Sequence, residues 1–192
     1  MQEDVKNAHP NTVYTFSGKY IVITELKRED ICIEDIAHAL SFKPRFNGNC
    51  KLFYSIAAHS ISVASLVSKE NKMQALLHDA AEAYLFDIPK PYKSLPQFSE
   101  LVKLEDEVQL KIYDRYLKHF NTQEMEIKCA DINELNREWE LAVHDNYLAS
   151  DPMSDKMRFM RSFIDYCSLL QLDESNSHIY EEVKYLIKKY KL

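Results

Sequence analysis

A chain of 192 residues with only two glycines, Gly18 and Gly48, has few places to make left-handed turns or tight hairpins. That scarcity steers the chain toward helices. It also excludes the glycine-rich loops that cradle phosphates, since neither GxGxxG nor a P-loop occurs. Any phosphate handled here must be held by something else.

Hydrophobic content of 46% and charged content of 28% suit a globular chain with a substantial core, expected to form a single domain over residues 1–192. The net charge of −6 argues against a general duplex DNA or RNA binder but leaves room for a local basic pocket. Cys32, Cys50, Cys129 and Cys167 are scattered and form no CxxC pair, which predicts free thiols in a reducing cytosol. The start of the chain is polar, without a signal-peptide apolar core. No apolar run approaches the ~20 residues of a membrane span, so a cytoplasmic protein is expected.

Residues 12–24, TVYTFSGKYIVIT, are the one β-like stretch, with Ser17-Gly18 as a turn. They predict a small N-terminal hairpin leaning on helices. Helical periodicity then takes over. Residues 30–42 place Ile33, Ile36, Ala37 and Leu40 on one stripe ended by Pro44, and a loop follows around Gly48. Further helices are expected at 53–68, 73–86, about 98–119, 122–149, 154–171 and 176–191. The expected fold class is all-α: a helical bundle with the hairpin at 12–24, a core over 30–149 and C-terminal helices over 154–191.

Chemistry concentrates in one constellation. His59 sits mid-helix, and His78-Asp79 lies in the next helix after a very short turn. Glu82 follows one helical turn beyond Asp79, and Asp131 occupies a later helix in an apolar setting. A carboxylate in an apolar stripe is costly unless it meets a cation. Two imidazoles and two carboxylates suit a divalent ion such as Mn, Co, Fe, Ni or Zn. Such an ion turns water into a nucleophile at neutral pH. His38 reads as a hydrogen-bonded structural histidine, while His9 and His178 lie in polar segments expected to be exposed. The pair His144-Asp145 warns that an HD dipeptide alone is a weak signal. Glu138, seven residues after Asp131 on the same face, suits either a support behind the ligands or an exposed ion pair.

In this order, His59, His78-Asp79 and Asp131 resemble the H…HD…D signature of the HD-domain metal-dependent phosphohydrolases, an all-α superfamily. The runs Arg45-Phe46-Asn47-Gly48, Phe53 to Ser60, Leu76 to Tyr84 and Asp87-Ile88-Pro89-Lys90-Pro91 resemble one branch in particular. That branch holds the bacterial 5′-deoxynucleotidases and the phage-type dATP triphosphohydrolases. The likeness covers about residues 17–145, and the spacing of 19 residues from His59 to His78 suits the compact phage-type proteins.

The resemblance implies that His59, His78, Asp79 and Asp131 ligate one divalent transition metal (Co, Mn, Zn, Fe or Ni), with Mg arriving on substrate phosphates. Glu82 would be the general acid/base and Asp87 would assist. Arg45 would grip phosphate, its guanidinium matching two oxygens at once. Phe46 would stand near the sugar or base. Lys90 and Lys93 either add positive charge to the site or are solvated loop lysines. The implied activity is a triphosphohydrolase favouring dATP and releasing nucleoside and triphosphate through attack of metal-activated water. The alternative is a 5′-deoxynucleotidase acting on a monophosphate. A regulatory module that binds metal and nucleotide without turnover is a rival of another class. The implied partners are a small-molecule nucleotide and further copies of the chain, as a dimer or hexamer, with neither membrane nor nucleic acid.

Overall fold

The computed structural model describes residues 12–121, 124–145, 147–170 and 176–192. His9 and residues 122–123, 146 and 171 of the expected helices lie outside them. The described residues form an all-α bundle with one small hairpin, as the glycine count and periodicity imply. Strands β1 (Thr12–Tyr14) and β2 (Tyr20–Val22) pair antiparallel, Val13 opposite Ile21. Gly18 takes φ +88° in the connecting turn, a conformation that costs glycine nothing. The hairpin is pinned to the bundle through Ser17, whose backbone N and Oγ donate to the Asp35 carboxylate at 2.6 and 2.8 Å.

Helix α1 (Ile33–Phe42) buries Ile33, Ile36, Ala37 and Leu40, the stripe read from the sequence. It stops where Lys43, preceding Pro44, is extended, because the proline ring disfavours helical backbone at the residue before it. Helix α2 (Ile56–Ser65) is shorter than expected because Ser55 caps it: Ser55 Oγ accepts from Ala58 N at 3.0 Å. The same hydroxyl donates to Asp155 at 2.6 Å, tying α2 to a distant helix.

The expected helix over 73–86 is a correction. Helix α3 (Lys72–Leu76) ends after five residues, the chain turns through Leu77, His78 and Asp79, and a 3₁₀ turn follows at Ala80–Ala83. A helix broken inside the core must place its freed backbone groups elsewhere. Gln109 takes them: its Nε2 donates to Leu77 O at 2.7 Å and its Oε1 accepts from Ala81 N at 2.9 Å.

Helix α4 (Lys90–Lys93) is one turn, and α5 (Ser99–Tyr116) buries Val108, Ile112 and Tyr116, with Leu101 and Leu104 only partly covered. Helix α6 (Met125–Glu138) widens into a π turn at Trp139–His144 rather than continuing as α-helix to 149. Pro152 opens the next helix, at a position where its missing N–H has no partner to lose. That helix, α7 (Pro152–Cys167), sends Phe159, Met160 and Phe163 into the centre against α1 and α2. Helix α8 (Ser177–Tyr190) docks through Ile179 and Leu186. No helix among the described residues is long and apolar enough to cross a membrane.

Candidate active site

The break after α3 shapes the site. In a regular helix, neighbouring side chains point about 100° apart and cannot serve one centre. Here the turn lets adjacent residues converge, and His78 Nε2 stands 3.3 Å from Asp79 Oδ2. From α2, the fully buried His59 brings its Nε2 within 3.8 Å of the same oxygen and within 3.1 Å of Asp131 Oδ1 on α6. His78 Nε2 lies 3.8 Å from Asp131 Oδ1. Asp131 is 41% exposed at its side chain, so it faces a cleft rather than an apolar stripe.

Both imidazoles are held by their other nitrogen. His59 Nδ1 donates to Glu138 Oε1 at 2.9 Å, and His78 Nδ1 donates to Ala75 O at 2.8 Å. With the proton on Nδ1, each Nε2 presents a lone pair. Both Nε2 atoms are buried without a hydrogen-bond partner. A buried imidazole nitrogen with no partner is unusual unless something else meets it. Ligand atoms of His59, His78 and Asp131 all lie within 4.8 Å of one another. Donors about 2.1 Å from one ion stand about 3.0–3.4 Å apart for bond angles between 90° and tetrahedral. Two of the four contacts, at 3.1 and 3.3 Å, lie in that range and two, at 3.8 Å, lie above it. His59, His78 and Asp131 could thus hold a divalent ion, with Asp79 standing beside the two imidazoles.

Charge points the same way. Asp79, Asp131 and Glu138 crowd one place against Arg45. Burial opposes a charged His59, yet the Asp131 and Glu138 carboxylates push its pKa up to about 9. The cluster therefore demands positive charge, which a proton or a cation satisfies.

Glu138 takes the first of its two expected roles, a support behind the candidate ligand His59. It is completely buried, not an exposed partner, and it joins the histidine to the arginine. Its Oε1 receives His59, and its Oε2 receives Arg45 Nε and Nη2, each at 3.1 Å. Arg45 thus spends one side of its guanidinium on Glu138. Only Nη1, 4.0 Å from Asp79 Oδ2, is turned toward the cluster.

Glu82 is buried, and its Oε2 has no hydrogen-bond partner. Burial first, then repulsion from Asp79 and Asp87, raises its pKa to about 9, so it holds a proton at neutral pH. Asp87 is half-buried, and burial pushes its pKa up as well. Lys43, which the sequence did not single out, donates Nζ to the carbonyls of Glu82 and Leu85 and so clamps this turn. Lys93 pairs with Glu105 at 2.8 Å, within electrostatic reach of Glu82 and Asp79. Lys90 is exposed on α4.

Phe46 and Asn47 both adopt left-handed backbone, at φ +55° and +53°, followed by Gly48 at +77°. Left-handed backbone costs roughly 1–2 kcal/mol for a residue with a Cβ. The loop is held by Arg45 N donating to Tyr54 O at 2.8 Å and Lys51 N donating to Ala142 O at 3.1 Å. On the other side, a cleft of about 440 Å³ lies between α5 and α6 and reaches His78 and Asp131, with Tyr113, Leu110 and Ile127 among its walls.

His38, His144 and His178 stand apart from this cluster. His38 is stacked between Phe16 and Phe42, with centroids at 3.9 and 4.6 Å, and its Nδ1 lacks the hydrogen bond expected of it. His178 is half-buried rather than exposed, its Nε2 bonded to Arg115 O at 2.9 Å. His144-Asp145 is exposed at the end of the π turn.

No family model matches the chain. It is similar to the uncharacterized protein YfdR of Escherichia coli (strain K12), 39% identical over 104 residues, 54% of this chain and 57% of that protein. It is also similar to an uncharacterized protein of Rhodobacter capsulatus, 35% identical over 109 residues, 52% of this chain and 55% of that one. The chain spans just over half the length of the curated relatives it matches.

Proposed function

We propose that this chain is a divalent-metal-dependent phosphohydrolase acting on the phosphate ester of deoxynucleotides. The observation that carries the reading is the pair of buried, partnerless Nε2 atoms of His59 and His78 facing the Asp79 and Asp131 carboxylates. These four residues would hold the ion. The ion would supply charge against a phosphoryl oxygen and make water nucleophilic at neutral pH. Arg45 would bind a phosphate oxygen through Nη1, its orientation set by Glu138. Glu82, whose carboxyl is drawn toward its protonated form by burial and the neighbouring carboxylates, would donate a proton to the leaving oxygen of the nucleoside, and Asp87 would accept a proton nearby. The resemblance to the HD-domain proteins supports the same assignment and names dATP, cut to nucleoside and triphosphate, as the first substrate.

One observation favours a monophosphate instead. Arg45 and Lys93 are each matched to a carboxylate, Glu138 and Glu105, which leaves little cationic charge for a β,γ-phosphate tail. Either substrate would lose the same ester bond at the same residues. The test is phosphate analysis of metal-loaded protein given dATP, dAMP or dGTP, with Asp79→Ala and Glu82→Ala as controls. Intact triphosphate from dATP supports the first substrate, and orthophosphate from dAMP alone supports the second. No turnover of any of the three overturns the nucleotide reading.

A further inference from the structure

Trp139 is the only tryptophan in the chain and is 48% exposed. It begins the π turn, one residue after Glu138, which is locked between His59 and Arg45. Its ring stands 5.5 Å from that of Phe46, at 71°, and Arg45 Cζ lies 5.4 Å from the Phe46 ring centre. An unbroken sequence of contacts therefore runs from Asp79 through Arg45 and Phe46 to Trp139.

Two features set this pair apart from ordinary surface aromatics. Phe46 holds a backbone conformation that suits glycine or asparagine, so local preference does not account for a bulky ring there. The two segments that carry the pair are also tied to each other. Lys51 ties the Phe46 loop to the π turn through its N to Ala142 O at 3.1 Å and its Nζ to His144 O at 3.4 Å. Two near-perpendicular rings, half open to solvent beside the Arg45 guanidinium, form a corner suited to a flat aromatic group linked to a phosphate.

Resting on the hydrolase reading above, we infer that Trp139, with Phe46, forms the wall on which the nucleobase stacks, and that this wall selects nucleotides over sugar phosphates. Stacking on a ring face tolerates every base, so the wall would admit purines and pyrimidines alike. Trp139 acts here in binding and takes no part in bond cleavage.

As the sole tryptophan, it reports on its own role. In the metal-loaded full chain carrying Glu82→Gln to block turnover, dAMP (or dATP, if that is the form hydrolysed) should quench the emission saturably. 2-Deoxyribose 5-phosphate should not. In the active protein, Trp139→Ala should raise KM for the nucleotide about 10-fold with kcat within about twofold. It should leave KM for the sugar phosphate unchanged, and Trp139→Phe should restore most of the loss. A nucleotide that is hydrolysed without quenching, or quenching equal for base-free substrate, overturns the inference while the hydrolase reading stands. Emission that follows protein concentration rather than nucleotide would assign Trp139 to a contact between copies, and also overturns it. If no nucleotide is bound or hydrolysed, both readings fall together.

Discussion

Gln109 is the residue on which the shape of the site most depends, although it touches no reacting group in the proposed chemistry. Its amide replaces two main-chain hydrogen bonds where α3 breaks, at Leu77 O and Ala81 N, both in residues that are essentially inaccessible to solvent. Gln109→Leu keeps most of the volume and removes both bonds. The bond to Leu77 O contributes about 1 kcal/mol net, since that carbonyl still accepts from Ala80 N at 3.1 Å, whereas the buried Ala81 N left without a partner costs about 1–3 kcal/mol. Together these come to about 2–4 kcal/mol. For a chain of this size that is a fall in Tm of roughly 5–15 °C. Thermal and urea unfolding followed by circular dichroism would measure it. Because His78 and Asp79 sit inside the braced turn, metal affinity by isothermal titration calorimetry should fall with the stability. A loss under about 0.5 kcal/mol, with metal binding intact, would refute the argument that Gln109 maintains the break.

Glu138→Gln leaves a shape able to accept His59 but removes the charge that orients the imidazole and the Arg45 guanidinium. Metal affinity should drop about 10- to 100-fold, read by competition with a chromogenic chelator, and an unchanged affinity would sink the assigned role. Glu34 is pulled down below the ordinary glutamate range: burial opposes this, but hydrogen bonds from Lys189 and Tyr190 prevail. A depressed folded pKa means its stabilisation is complete above the unfolded value of about 4.3 and is lost as pH falls through the lower folded value. The stability gap between the wild type and Lys189→Met should therefore hold constant from pH 7 to 5 and shrink below about pH 4, measured by urea titration at each pH. Burial raises the Cys32 thiol to about 11 and the Cys167 thiol to about 12, whereas Cys129 is exposed. Ellman's reagent at pH 8 should label Cys129 first and leave Cys32 and Cys167 unreacted until denaturant is added. Rapid labelling of Cys129→Ser at Cys32 or Cys167 would contradict the packing.

The features legible in the sequence are those encoded within a few residues. Two glycines, a three-to-four-residue apolar rhythm and one stretch of β-branched and aromatic residues around Ser17-Gly18 suffice for a helical chain with a single hairpin. The burial of Ile33, Ile36, Ala37 and Leu40 follows from that rhythm alone. His59, His78, Asp79 and Asp131 stand out as candidates because ionisable side chains interrupt apolar helical runs. Glu138 could be noticed too, two turns beyond Asp131, but its pattern did not tell a buried bridge from a solvent-facing ion pair.

What tertiary structure decided lies at long separation. The apolar rhythm of residues 73–86 is the same whether the helix runs through or breaks. Gln109, reaching back 32 residues to Leu77 and 28 to Ala81, makes the break stable. Only that break lets His78 and Asp79 face one point. Glu138 meets His59 across 79 residues and Arg45 across 93, and Lys43 clamps the Glu82 turn across 39. Periodicity reports which face of an element turns inward, because burial repeats with the helix. It carries no information on which polar atom of a distant element will meet a backbone group or ring nitrogen there, and those pairings give this site its geometry and its charge.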